Sequence, residues 1–193
     1  MTSHILEILG FIVGLLYLWW EYHADARVWL ASVIMPAISM WIYFSKGIYA
    51  DFAINIYYLI IAIYGYVIWR TGGIRKEKKP QPITHTPIAV WAGIAAVTAL
   101  LWWALTWILS NFTDSTVPVT DAFSTSLSIV GTWMLARKYA EQWLIWIIVD
   151  IVCMGLYAYK GLIFYPILYG IYTVVAVFGY RKWLGLMKST TAG

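Results

Sequence analysis

Residues 143–159 read WLIWIIVDIVCMGLYAY, an apolar run in which Asp150 is the one charged residue. In an α-helix, which rises 1.5 Å per residue, such a run covers roughly 25 Å, close to the ~30 Å hydrocarbon core of a bilayer. The stretch therefore predicts a transmembrane helix that carries one carboxylate at mid-depth.

The rest of the chain has the same apolar character. Of 193 residues, 62% are hydrophobic and 11% are charged, whereas soluble domains average about 45–50% and about 25%. Seven runs are long enough to cross a bilayer: residues 5–22, 28–45, 50–69, 88–110, 120–136, 143–159 and 162–181. The sequence thus predicts an all-α integral membrane protein with seven transmembrane helices.

The distribution of Lys and Arg predicts the orientation of these helices. Because basic residues near helix ends resist translocation, the basic side of a membrane protein faces the cytoplasm. With seven spans, Lys46 and Lys160 lie on one side and the remaining eleven of the 13 basic residues lie on the other. We therefore expect the N-terminus outside and the C-terminus in the cytoplasm. The net charge of +4 is then a topology signal, and no nucleic-acid partner is expected.

The chain also contains an internal repeat. Residues 5–70 align without a gap with residues 119–184 at a constant offset of 114. The matches include Lys46-Gly47 with Lys160-Gly161, Gly65-Tyr66 with Gly179-Tyr180, Trp29 with Trp143, Trp69 with Trp183, and Glu7 with Asp121. One linking helix between two three-helix halves gives both halves the same orientation. The predicted architecture is therefore 3+1+3 with parallel repeats, which is typical of transporters that bind substrate near the bilayer midplane.

This repeat divides the chain into five predicted segments. They are the first repeat (1–70), a basic cytoplasmic linker (71–87), the linking helix with an outer loop (88–118), the second repeat (119–184) and a cytoplasmic tail (185–193). The prolines and charges of the linker are expected to break the helix and to prevent burial.

The sixth predicted span carries the strongest functional signal. Trp143, Trp146 and Asp150 are spaced i, i+3 and i+7, which places them on one helical face. A carboxylate inside an apolar span costs several kcal/mol unless it is paired, protonated or hydrated, and it marks a functional site by default. No Lys or Arg lies at mid-depth in another predicted span, so we expect a ligand cation as partner, with the indoles adding cation–π attraction. A protonated Asp150, or one bonded to a Tyr hydroxyl, is the alternative.

Other candidate binding residues occur in the third and seventh spans and at the outer ends. Asn55 and Tyr58 in the third span correspond to Tyr169 and Tyr172 in the seventh. Each Tyr could equally serve helix packing, whereas an amide such as that of Asn55 favours a ligand contact. Glu7 and Asp121 are expected at the outer ends, where acids would concentrate a cationic solute, although either could be an ordinary interfacial acid.

These motifs resemble those of the PnuC family of bacterial vitamin transporters. The resemblance rests on Trp143, Trp146 and Asp150 as a WxxWxxx[N/D] signature, on residues 136–139 (ARKY), and on residues 63–65 (IYG) before Trp69. It covers nearly the whole chain. It implies facilitated diffusion of a phosphate-free vitamin precursor across the inner membrane, followed by trapping by an intracellular kinase that need not touch the carrier.

Within that family, the residues favour thiamine over nicotinamide riboside. Where the riboside carriers tend to have amides, this chain has Ala62, Phe178 and Asp150, and it has Asn55 in place of Gln. Fewer amides leave fewer partners for a ribose and a carboxamide. Thiamine is therefore the expected substrate and nicotinamide riboside, also a cation, is the alternative.

Other classes of protein fit less well. A retinal photoreceptor needs a mid-helix Lys in its last span, and an intramembrane hydrolase needs a nucleophile and base, or metal ligands, at depth. His4, His23 and His85 lie outside the predicted spans, and no Gly-rich phosphate loop is present. We therefore expect no enzyme, cofactor or metal site. A receptor or assembly subunit, and a homo-oligomer, are left open.

Overall fold

The computed structural model describes residues 13–45, 49–71, 81–161 and 164–191, and these residues are almost entirely helical. A first helix, α1, is described over residues 13–22. The others are α2 (Val28–Ser45), α3 (Tyr49–Thr71), α4 (Ile88–Phe112), α5 (Pro118–Ala136), α6 (Gln142–Tyr159) and α7 (Phe164–Thr191).

Three helices of the described part have the length and composition of a membrane span: residues Ile54–Thr71 of α3, Ile88–Phe112 and Gln142–Tyr159. The predicted and observed bounds agree closely for α2, α3, α4 and α6. Helix α7 differs, because it continues to Thr191 where the sequence predicted an end at residue 181 and a tail from residue 185. The extra turns carry Lys182 and Lys188, and polar residues can extend a helix into water without burying an apolar face.

The chain divides into two units, Met1–Pro82 and Ile83–Gly193. In the first unit, α2 packs against α3. In the second, α5 packs against α4 and α6, and α6 packs against α7. The core of the second unit is formed mainly by apolar residues of α5 and α6, such as Val130, Met134 and Val149, with Ile94 contributed by α4.

The turns before α2 and α6 have the same hydrogen-bond pattern. Ala24 (φ 52°) and Lys138 (φ 54°) are the non-glycine residues with positive φ among the described residues, and they are 114 positions apart. In the first turn the Asp25 amide donates to the Trp20 carbonyl (2.9 Å), and in the second the Tyr139 amide donates to the Met134 carbonyl (3.0 Å). Both turns are therefore Schellman-type ends of the preceding helix.

A second matched arrangement holds α2 to α3 and α6 to α7. The rings of Trp29 and Trp69 meet edge to face at 5.6 Å and 89°, and those of Trp143 and Trp183 do so at 5.9 Å and 88°. Gly65 lies against the Trp29 indole and Gly179 lies against the Trp143 indole, in each case closer than a Cβ atom would allow. Both glycines therefore permit the close approach of the paired helices.

The end of the linker is fixed to the α5–α6 turn, contrary to the expectation that this segment would avoid burial. The Thr84 amide donates to the Lys138 carbonyl (3.1 Å), and the Ala140 amide donates to the Thr84 carbonyl (3.0 Å). Thr86, which is buried, donates from both its amide and its hydroxyl to Oε2 of Glu141 at 2.8 Å. Residues with short hydroxyl side chains can be buried here because Glu141 satisfies their donors.

Glu141 is the centre of this attachment. Its Oε1 lies 2.6 Å from Nδ1 of His85. Burial alone would raise the pKa of Glu141, but the hydrogen bonds from His85 and Thr86 outweigh burial and lower the pKa below its usual value.

Candidate functional site

The candidate site of the second unit is centred on Asp150, in the middle of α6. Its side chain is buried, with 6% of the residue exposed. Within the described part of the chain its carboxylate accepts no hydrogen bond and forms no ion pair. Cys153, Tyr169 and Tyr172 lie close enough to interact with it electrostatically. The structure thus brings together three of the predicted site residues, Asp150, Tyr169 and Tyr172.

A stack of three tyrosine rings extends from this region along α6 and α7. Tyr157 of α6 lies nearly parallel to Tyr165 (5.0 Å between centroids, 24°) and to Tyr169 (5.4 Å, 11°), which are one turn apart on α7. The stack links Lys160 at the end of α6, whose Nζ lies 5.9 Å from the Tyr157 ring, to the surroundings of Asp150.

Cys153 connects this stack with α5. Its buried thiol lies near the hydroxyls of Ser124 and Tyr169. Helix α5 carries further hydroxyls at Ser126, Ser128 and Thr132, each of which donates to a carbonyl of its own helix at 2.8 Å. Close to Asp150 the second unit therefore offers the thiol of Cys153 and the aromatic rings of Tyr169 and Tyr172.

The two tryptophans of the signature have different surroundings. Trp143 is 2% exposed, with Gly179 against its ring and the edge of Trp183 beside it. Trp146 is partly buried and lies near Gly131 of α5. Its indole N–H is buried and has no hydrogen-bond partner in the described residues. The indole N–H of Trp143 is buried without a partner in the same way. Trp146, which is only partly buried, can therefore offer ring surface to a ligand, whereas the Trp143 ring is occupied by helix packing.

Asp121 is paired, whereas acids that concentrate a cationic solute at the outer ends of the helices were expected to be unpaired. Its Oδ1 accepts from Nζ of Lys160 at 3.2 Å, and its Oδ2 accepts from the Ser115 hydroxyl at 2.6 Å. Asp114 is exposed, while Glu7 lies outside the described residues. The local negative charge at this end of the second unit is thus smaller than the sequence indicated.

Asn55 and Tyr58 belong to the first unit. Both are partly buried in α3, and the ring of Tyr58 lies 5.5 Å from that of Tyr57. Their assignment to a binding site stays a prediction.

Sequence reasoning missed several residues of this region, namely Ser124, Cys153, Tyr157 and Tyr165. Tyr157 and Tyr165 were detectable in principle, since Tyr157 is one turn beyond Cys153, and Tyr165 one turn before Tyr169, on the faces that carry these residues. Nothing in the sequence showed that these two faces meet.

Comparison with known proteins identifies the family. Residues 4–185 match the family described as "Nicotinamide mononucleotide transporter". The chain belongs to the nicotinamide mononucleotide transporter family. This result confirms the resemblance to PnuC proteins and places the chain among multi-pass vitamin transporters of the bacterial inner membrane.

Curated members and relatives of the family support this assignment. The nicotinamide riboside transporter PnuC of Escherichia coli is 22% identical over 202 residues, covering 93% of this chain and 84% of the relative. The PnuC of Neisseria mucosa is 23% identical, covering 83% and 64%. The riboflavin/roseoflavin transporter RibM of Streptomyces davaonensis is 27% identical, covering 65% and 59%.

The fold of the family is also known. A crystal structure of the vitamin B3 transporter PnuC superimposes with a TM-score of 0.66 and 21% identity, over 92% of this chain and 80% of that chain. The similarity shows that the two proteins share a fold. The relatives named above are transporters and not enzymes.

Proposed function

We propose that this protein carries nicotinamide riboside across the bacterial inner membrane by facilitated diffusion with alternating access. The observation that carries the proposal is the buried carboxylate of Asp150, which has no ionic or hydrogen-bonding partner among the described residues. The pyridinium ring of nicotinamide riboside is both flat and positively charged. It therefore supplies the positive counter-charge for Asp150 and a flat face on which the neighbouring aromatic rings can stack.

Electrostatics favours a cationic substrate at this position. Transfer of an unpaired carboxylate into an apolar interior is strongly unfavourable, and the cost is offset only by a nearby opposite charge, a proton or water. Aromatic faces add attraction for an organic cation of about 0.5–2 kcal/mol. Tyr169 and Tyr172 are close to Asp150, so the second unit presents both kinds of group together.

The choice of substrate differs from the expectation drawn from the sequence. Thiamine was favoured there because several amides are absent. The relatives are named for nicotinamide riboside and, in one case, for riboflavin, and none of these names supports thiamine. Riboflavin has no positive charge to neutralise Asp150, so nicotinamide riboside fits both the relatives and the buried carboxylate.

We assign the following roles within the second unit. Asp150 is the counter-ion of the pyridinium ring, Trp146 stacks on the ring, and Tyr169 and Tyr172 line the site. Trp143 holds α6 against α7 and does not stack on the substrate. Asn55, Tyr58 and Glu7 remain predicted contributors for which the second unit gives no information.

We further propose the 3+1+3 topology, with two parallel three-helix repeats and the C-terminus in the cytoplasm. The matched turns at Ala24 and Lys138 and the matched Trp–Gly–Trp arrangements support it. Both sets follow the offset of 114 residues found in the sequence. The basic residues of the linker would then face the cytoplasm, in accordance with the positive-inside rule.

Uptake without an energy source requires that the product be removed inside the cell. An intracellular kinase that phosphorylates the riboside would do so, since a phosphate ester does not fit a site whose fixed charge is negative. This step requires no contact between the kinase and the carrier. Homo-oligomer formation is compatible with this scheme but is not needed for it.

Flux into liposomes tests the proposal. Purified protein reconstituted into proteoliposomes should equilibrate radiolabelled nicotinamide riboside with an empty lumen, without ATP and without a proton gradient. Thiamine and riboflavin are the matched comparison substrates. Saturable thiamine flux with no riboside flux would restore the original expectation, and the absence of flux for all three would remove the transport function proposed for this chain.

A further inference from the structure

Lys160, Asp121 and Tyr157 form a cluster at the end of α6. The Lys160 ammonium lies 3.2 Å from Oδ1 of Asp121 and 5.9 Å from the centre of the Tyr157 ring. Ser115 holds the second carboxylate oxygen of Asp121 at 2.6 Å. A cation, an aromatic ring and an oriented carboxylate are thus gathered in one place, and the protein itself provides the cation.

The cluster is continuous with the surroundings of Asp150. Tyr157 stacks on Tyr169 with an interplanar angle of 11°, and Tyr169 lies near Asp150. The Asp121 cluster and the tyrosine stack therefore share Tyr157.

We propose that Asp121 and Tyr157 form an outer subsite for a flat heteroaromatic cation, and that Lys160 occupies this subsite when the substrate is absent. The inference rests on the function proposed above, because it takes the substrate to be a cation. Lys160 acts as a tethered competitor: its ammonium must leave Asp121 before the pyridinium ring can pair with the same carboxylate. The pyridinium ring then moves from Asp121 past the tyrosine stack to Asp150.

The structure indicates that Lys160 can be displaced. The side chains of Lys160 and Asp121 are 30% and 24% exposed, so water competes for both partners and the ion pair is weak. Lys160 lies just beyond the last residue of α6, and Gly161 follows it with φ of +75°. The long side chain can therefore swing away from Asp121 without a change in the helix. Ser115 would keep the carboxylate oriented during the exchange.

A double-mutant cycle on transport tests this inference. The probe is nicotinamide riboside, and the readout is the KM for flux into proteoliposomes. Lys160→Gln should lower KM about threefold, the scale of a partly exposed ion pair, and Asp121→Asn should raise it. In the double variant the decrease in KM caused by Lys160→Gln should disappear, since the carboxylate that would pair with the substrate is gone. Lys160→Arg should keep the wild-type KM, and Lys182→Gln on α7 is the matched control for loss of one positive charge.

Salt provides a second readout that a structural role would not affect. The decrease in KM caused by Lys160→Gln should become smaller as ionic strength rises, because salt screens the pairing of Asp121 with both Lys160 and the substrate. An unchanged or raised KM for Lys160→Gln, or a gain that persists in the double variant, would overturn the inference. These outcomes require wild-type riboside flux, so failure of the proposed function, in which the wild type shows no flux, is distinguishable from failure of the subsite.

Discussion

The indole of Trp143 lies directly against Gly179: a Cβ atom at position 179 would be 2.8 Å from three atoms of the ring. The first unit repeats this contact between Trp29 and Gly65. In both cases a second tryptophan, Trp183 or Trp69, meets the first edge to face, an arrangement that contributes about 0.5–1.5 kcal/mol beyond its buried area. The close approach of α6 to α7 therefore depends on the missing side chain of one residue.

Gly179→Ala should lower the stability of the protein. The added methyl group must displace the buried Trp143 ring, and overpacking of this kind costs about 1–3 kcal/mol. Gly185→Ala on the same helix is the matched control, since no atom lies within 4 Å of a Cβ there, and it should be neutral or stabilising. Thermal unfolding of both variants in detergent measures the difference. Equal unfolding temperatures for the two variants would show that the contact is not needed.

Asp150→Asn should weaken binding of nicotinamide riboside and leave the fold intact. Asn keeps the shape of the side chain but removes the counter-charge, so we expect a loss of about tenfold or more in affinity, or roughly 1.4 kcal/mol. Titration of detergent-purified protein gives the affinity, and thermal unfolding confirms the fold. Asp114→Asn, at an exposed acid of the outer loop, should bind as the wild type does. Wild-type affinity in Asp150→Asn would eliminate the counter-ion role.

Cys153 should report occupancy of the site. It is the single cysteine of the chain, it is buried, and it lies near Asp150 and Tyr169. Saturating nicotinamide riboside should slow its modification by a small methanethiosulfonate several-fold, measured by mass spectrometry, because the bound ring blocks access to the thiol. Uridine, a neutral nucleoside, should give little protection. If the riboside leaves the rate unchanged under conditions where it binds, the site lies elsewhere.

The contacts of Glu141 should make stability depend on pH. Hydrogen bonds from His85 and Thr86 lower the pKa of Glu141 in the folded protein, so their contribution is present above the pKa of the unfolded chain, about 4.3. It is lost as the pH falls from that value through the lowered folded pKa. Glu141→Gln should therefore unfold at a lower temperature than the wild type at pH 7, by the equivalent of about 1–2 kcal/mol, and the difference should narrow at pH 4. A constant difference over this range would show that charge plays no part.

Much of the fold is predictable because membrane helices have a simple signature. Bounds near those observed for α2, α4 and α6 follow from the lengths of the apolar runs. The end of α7 is not predictable in this way, because Lys182 and Lys188 interrupt the apolar run while still favouring a helix in water. The Schellman-type turns at Ala24 and Lys138 were missed as well, since glycine is the usual residue at such positions and neither turn has one.

The candidate site was predictable only where the residues of a single helix are enough to identify a functional side chain. The isolated carboxylate of Asp150 follows from its place in an apolar run, and the structure agrees within the residues that it describes. The packing role of Trp143 and the pairing of Asp121 with Lys160 depend on contacts between different helices. The spacing of residues along a single helix does not reveal those contacts. The sequence therefore predicted Trp143 as a ligand contact and Asp121 as an unpaired acid at the outer end.

The most direct test of the central claim is binding of nicotinamide riboside to the purified protein, followed by quenching of its tryptophan fluorescence and in competition with thiamine. The account predicts saturable riboside binding that excess thiamine displaces poorly and that Asp150→Asn weakens at least tenfold. Tight thiamine binding without a riboside response, or riboside binding that is indifferent to Asp150, would contradict it.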